Sequence, residues 1–436
     1  MKKKILLLVP VIALLASCAG SNNVKVPAGG TELDIYEEAE EGQKTAAQKA
    51  IEKAVDESSE GLKTIKGVKV SSTASGNASV GLNAKLIDSA KYAEDPNATV
   101  DAYVTVEGSF KEQEEAGFGG FSKEAFELND LYGYVNAKGC EASLKASYNI
   151  PETYFALLQN YVPFLKKNAA SANYSLASTS GNAYLSGSKA YVDATDPNIE
   201  KLYTQVTTSD FFDFGEKGAP TWDELLSELK LEKLKFAIDL ADASSVFDFN
   251  KLEQLFTLPD SLAGSIGTGL GMIEEQKELF QALNLKVYSY GDNSVYALAA
   301  TVGFNKASIE KFYNDNVKGD DKDAKSFDEF LAQYGITLNA LDVNLGVTLY
   351  KNGGYEVAAN VNIDIKLDAV KLAKSFISEA YASIIDALVK EASATLKVKG
   401  EVSASMLKAD ETEIKNALPA SFEDYKLIEI PTRSAK

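Results

Sequence analysis

The chain of 436 residues contains no histidine, one tryptophan, three methionines and two cysteines. Without an imidazole there can be no Ser-His or Cys-His nucleophile pair, no imidazole general base and no histidine-bearing zinc site. Basic residues are also in deficit, with 44 Lys and Arg against 63 Asp and Glu and a net charge of −19. The body has no Lys or Arg cluster, which excludes a nucleic-acid partner. Long apolar runs are missing except over residues 5–16, and that run is too short to span a bilayer. What is present is globular in kind: 45% hydrophobic and 25% charged residues, in a length that points to two domains.

Lys2, Lys3 and Lys4 precede the apolar run, so residues 1–17 read as an export signal. The run ends in Leu15-Ala16-Ser17-Cys18, which resembles the lipobox of bacterial lipoproteins. The resemblance implies cleavage before Cys18, a diacylglyceryl group on its thiol, palmitate-type acylation, and a location in the bacterial cell envelope facing outside the cytoplasm. Each buried methylene contributes about 0.8 kcal/mol and one chain alone holds only reversibly, so more than one chain is needed for a stable anchor. Loss of residues 1–17 leaves a charge of −22, which disfavours adsorption of the body on anionic headgroups. The membrane would then be reached through the acyl chains alone.

Residues 18–43 carry Ser, Asn, Gly and Pro and then the acidic stretch Glu37-Glu38-Ala39-Glu40-Glu41, lack apolar periodicity and read as a flexible tether. With Cys18 lipidated, Cys140 is the only thiol left and no internal disulfide can form. Cys140, Ala142, Leu144, Ala146, Tyr148 and Ile150 alternate with polar residues, so the thiol is expected inward and inert.

Period-two alternation is the strongest pattern in the body. Even positions from Val68 to Leu86 are apolar or small, and the pattern recurs over Val100–Phe110, Leu234–Leu240 and Ala394–Met406. Leu341–Leu349 and Tyr355–Leu367 flank Lys351-Asn352-Gly353-Gly354, a hairpin in which Asn-Gly would supply positive φ angles. One apolar and one polar face per strand indicates antiparallel sheet. Amphipathic helices are expected over Thr45–Ile65 and Asp368–Ala392, and shorter ones behind capping boxes at Thr221/Glu224, Ser326/Glu329 and, more loosely, Asp410/Glu413.

Asn198-Ile199-Glu200-Lys201-Leu202-Tyr203 is echoed by Ser308-Ile309-Glu310-Lys311-Phe312-Tyr313, each after a strand. Glycine and proline cluster over Phe214–Pro220. These features predict an α+β fold of two modules, 44–217 and 218–436, each a curved antiparallel β-sheet packed with amphipathic helices.

Catalytic and cofactor motifs do not survive inspection. Ser-x-x-Lys occurs at Ser186/Lys189, Ser227/Lys230, Ser308/Lys311 and Ser405/Lys408, about as often as chance allows. Gly264, Gly267, Gly269 and Gly271 precede Met272 with no Gly-Lys-Ser/Thr, so neither a phosphate loop nor a dinucleotide fingerprint is completed. Counted from Asp320, the calcium-loop positions that require Gly and Glu hold Lys325 and Leu331. No cofactor or metal is expected, and the chain reads as a non-enzyme.

Two aromatic segments stand where polar turns are usual: Gly117-Phe118-Gly119-Gly120-Phe121, and Phe211-Phe212-Asp213-Phe214 near Trp222. Phe118, Phe121, Phe211, Phe212 and Trp222 are therefore candidate ligand-binding residues, with core packing as the alternative. The helix-first order, the long strands and the anchor together resemble the LolA/LppX-like half-barrels of bacterial lipid-carrier lipoproteins. That likeness implies binding or carriage of an apolar ligand such as a lipid. The alternatives are a surface interaction or scaffold lipoprotein and, third, a hydrolase using paired carboxylates.

Overall fold

The structure is a computed structural model, and it describes residues 26–37, 43–63, 66–88, 90–120, 130–160, 165–215, 217–240, 277–319, 325–375 and 379–428. Cys18 and its lipobox, Phe121, the Gly264–Met272 segment and Asp320 lie outside the described residues.

In chain order the elements are β1 (Thr31–Glu32), α1 (Ala46–Lys63), β2 (Gly67–Ile87), β3 (Thr99–Gly119), β4 (Tyr132–Asn149), α2 (Glu152–Gln159), β5 (Ala169–Ser186) and β6 (Lys189–Asp193). There follow α3 (Pro197–Thr207), α4 (Trp222–Glu228), β7 (Lys235–Asp239), α5 (Lys277–Ala282), β8 (Lys286–Ser289), β9 (Tyr296–Asn305), α6 (Lys306–Tyr313) and α7 (Phe327–Gln333). The chain continues through β10 (Ile336–Tyr350), β11 (Tyr355–Asp368), α8 (Ala369–Lys374), α9 (Glu379–Leu388), β12 (Val389–Lys408), α10 (Glu411–Asn416) and β13 (Lys426–Leu427).

All thirteen strands form one open sheet in the order β1-β8-β9-β10-β11-β12-β2-β3-β4-β5-β6-β7-β13, antiparallel except where β13 meets β7. The α+β expectation therefore holds. The expected boundary at 217/218 falls between β6 and β7, which pair with each other, and β12 pairs along its length with β2. Strands from both sides of that boundary thus share one sheet.

The register sorts the side chains by face, because directly opposed residues point the same way. The row Val361, Gly400, Gly76, Phe110, Ala142 runs across β11, β12, β2, β3 and β4 on the apolar face. The opposite face is lined with hydroxyls that bond across strands: Ser71 with Ser405 at 2.8 Å, Thr73 with Ser403 at 2.8 Å, Thr105 with Ser147 at 2.6 Å and Ser109 with Ser143 at 2.7 Å.

Three packed clusters sit on the apolar face. In the first, Ile51, Ala54 and Leu62 of α1 meet Val68, Leu298, Leu349, Tyr355 and Met406. The helix comes close enough there that a Cβ on Gly61 would collide with the carbonyl oxygen of Lys351 in the β10–β11 turn. In the second, Ile309, Tyr313 and Phe327 from α6 and α7 cover Leu341, Val343, Val361 and Ile363. In the third, Tyr148, Phe155 and Leu165 gather with Val104 and Phe211.

The capping boxes at Thr221/Glu224 and Ser326/Glu329 close reciprocally, and Asp410 caps α10 by accepting from the Thr412 amide. A box at Asn305/Ser308 was not expected; its asparagine and serine play the parts that Ser/Thr and Glu usually take. The two echoed hexapeptides lie on α3 and α6.

Several expectations need correction. The helix expected over Asp368–Ala392 is two helices, α8 and α9, and from Val389 the chain is already strand. In the β10–β11 turn Gly353 takes positive φ, at 87°, and Asn352 does not. The tether does not extend over residues 26–37: β1 pairs with β8, Leu33 N–H donates to Val287 O, Tyr290 Oη donates to Pro27 O, and Leu33 and Ile35 join the first cluster. Burying those two apolar side chains outweighs the polar composition around them.

Cys140 is half-buried rather than inward-packed. Gly139 and Cys140 together oppose Glu112 on β3, with Gly139 at φ 59°, a bulge at which Cys140 keeps to the side of Glu112 and Glu114 but is only partly covered.

Candidate functional site

Between the three clusters the centre of the apolar face is open. Val80 and Leu82 on β2, Val106 and Phe110 on β3 and Leu144 on β4 are 42%, 47%, 36%, 46% and 39% exposed. Val80 stands directly opposite Val106, and Leu144 directly opposite Gly108. The glycines make the surface shallow: the Phe110 ring lies over Gly76, and Leu144 leans over Gly108. Ala78 and Ala142, small and exposed, complete the strip. From Gly76 to Leu82 it runs about 20 Å along the strands at the usual strand rise. Contiguous apolar surface of this kind marks a place for a partner or ligand.

The sequence-derived candidates are distributed around this strip. Phe212 stacks on Tyr174, which stands opposite Leu144, and Phe211 meets Tyr148 edge-on at 5.3 Å. These two phenylalanines, 5.1 Å apart, form one rim. Phe118 packs into the first cluster with its ring against Gly133, and Trp222 pairs with Tyr203 across α3 and α4. Phe118 and Trp222 therefore stand in separate clusters rather than in one lip.

Sequence reasoning did not single out Val80, Leu82, Val106, Phe110 and Leu144. Their alternation was visible; what it could not show is that the helices pack at either end and leave the middle bare.

Glu112 and Glu114 share the apolar face at the end of the strip nearest the first cluster, opposite Ala74 and Ser72. Burial, with the Glu112 charge second, holds the Glu114 carboxyl above the usual glutamate range. Burial and then the same two carboxylates raise the Cys140 thiol. Glu115, on the opposite face, bonds Lys138 at 2.6 Å, and that partner lowers its carboxyl. Along α1 the charges satisfy one another: Lys53 pairs with Asp292 at 2.8 Å and Glu57 at 3.6 Å, and Lys351 with Glu57 at 3.7 Å. Among the described residues no three carboxylate or thiol groups converge as metal ligands, and no helix is long and apolar enough to cross a membrane.

No family model, curated protein or solved structure matches the chain.

Proposed function

We propose that the chain is a bacterial envelope lipoprotein, acylated at Cys18, that binds or carries an apolar ligand such as a lipid along the strip of Val80, Leu82, Val106, Phe110 and Leu144. The observation that carries the reading is the exposure of five apolar side chains side by side on a face where three packed clusters lie around them. An alkyl chain laid along the strands would recover part of that hydration cost, at about 25 cal/mol per Å² covered. Phe211 and Phe212 serve as the rim.

The division into modules 44–217 and 218–436 belongs to the same proposal. It is supported by the echo of α3 and α6, which follow β6 and β9, each the third strand from an edge of the sheet.

The test is equilibrium binding of the neutral fluorophore N-phenylnaphthylamine to the full-length chain, with native mass spectrometry for copurified lipid. Saturable binding that falls when Val80 and Phe110 are replaced by Ser supports the reading. A probe that does not bind contradicts it.

The strip is open rather than enclosed, and this favours a second reading in which another protein's apolar face covers it, as in a scaffold lipoprotein. In that case V80S/F110S abolishes a stoichiometric protein complex and leaves small-probe binding negligible throughout.

A further inference from the structure

Glu112 and Glu114 follow Phe110 at two-residue steps on β3, so all three project from the same face. Acidic side chains on the polar face find partners: Glu115 has Lys138 at 2.6 Å, Asp364 has Lys397 at 3.2 Å, Asp342 accepts from Asn344 at 3.1 Å and Glu356 from Tyr350 at 2.8 Å. Glu112 and Glu114 have no ion-pair partner within 4 Å among the described residues, and their β2 and β12 neighbours are Ala74, Ser72, Val402 and Ala404. The far end of the strip is different in kind, because Leu82 is followed on its face by Ala84 and Leu86, with Ala392 and Ala394 of β12 beside them. The strip is thus apolar along its length and negatively charged at one end.

Resting on the apolar-ligand reading above, we infer that the strip is built for an amphiphile with a cationic head, an alkyl chain bearing an ammonium group, with the chain over Val80, Val106 and Phe110 and the nitrogen beside Glu112 and Glu114. Complementarity of charge singles out this occupant. An anionic headgroup at that end would face two like charges in a chain that is already strongly acidic, and a neutral one would leave both carboxylates unpaired. Burial of Glu114 without a cation is a cost in the free protein, and a bound ammonium group would offset it.

The test compares dodecylammonium, dodecyl sulfate and dodecanol, each below its aggregation concentration, as displacers of N-phenylnaphthylamine from the full-length chain. A partly exposed ion pair is worth about 1 kcal/mol, so dodecylammonium should compete roughly fivefold more tightly than dodecanol, and dodecyl sulfate more weakly than either. E112Q/E114Q should abolish the ammonium preference, so that dodecylammonium competes no more tightly than dodecanol in that variant. E115Q removes a neighbouring acid from the opposite face and should keep the preference. Both variants change exposed or half-exposed positions, and thermal melts establish that each is folded.

Equal competition by the three amphiphiles, or an ammonium preference that survives in E112Q/E114Q or is lost equally in E115Q, would overturn the inference while the apolar strip stands. Failure of the neutral fluorophore to bind at all would remove the strip reading itself, and this inference with it.

Discussion

Val80 and Val106 stand directly opposite each other at the middle of a thirteen-stranded sheet, and both are open to solvent. An opposed valine pair normally lies under a helix or a second sheet. Here the helices pack around it: α1 on the ends of β2, β10, β11 and β12, and α6 and α7 on β10 and β11.

Exposure separates binding from stability. Replacing Phe110 by Ser should lower unfolding free energy by only about 1 kcal/mol, because nearly half of the residue already faces water and the rest covers little more than Gly76. Replacing the buried Met406 by Ala should cost about 2–5 kcal/mol. Urea unfolding and probe titration on both variants check this, and the expected pattern is opposite in the two assays: lost affinity in the first, lost stability in the second.

Gly61 allows α1 to rest on the β10–β11 turn. G61A forces the helix away from Lys351 and should destabilise the chain by about 1–3 kcal/mol, although alanine is the better helix former. A melting temperature at or above the parent value would show that this contact is looser than described.

Glu114 gives stability a pH dependence. Its folded carboxyl is raised, so between the ordinary glutamate value and that raised value the folded chain holds more protons than the unfolded chain. Stability contributed by this group therefore falls as pH rises through that window. Glu112 faces it on the same strand, and the half-buried Cys140 thiol also feels its charge. E114Q should flatten the curve, with its advantage over the parent growing from about pH 4 upward and then levelling off. Urea midpoints across that range read the difference directly; a gap that does not vary with pH would remove Glu114 as the cause.

Acylation is tested at the thiol. A clickable fatty-acid label should enter the parent chain in the producing bacterium and should be absent from C18A. Equal labelling of the two would sink the lipoprotein assignment.

The strands were legible where a period of two survives: β2 and the β10–β11 hairpin lie where alternation put them, while β3 was legible only over Val100–Phe110 and runs on through Gly117 and Phe118, which resemble a turn, to Gly119. Capping at Thr221 and Ser326 was legible because its chemistry is local. Three things were not. The β12 start at Val389 continues an apolar helical stripe without a breaker. The bulge at Gly139, beside which Cys140 stays only half-buried, leaves no mark on the alternation from Cys140 to Ile150. The strip is defined by where helices do not pack, a tertiary fact with no local sequence signal; Phe211 and Phe212 were found only because aromatics in a turn are conspicuous, and the aliphatic residues they border were not.

The most direct measurement is photolabelling of the full-length chain with a neutral diazirine-bearing alkyl probe, followed by peptide mapping. The account predicts label concentrated on the segments containing Val80, Leu82, Val106, Phe110 and Leu144, and its loss in V80S/F110S. Label confined to the helices of the packed clusters, or spread evenly over the chain and unchanged in V80S/F110S, would contradict it.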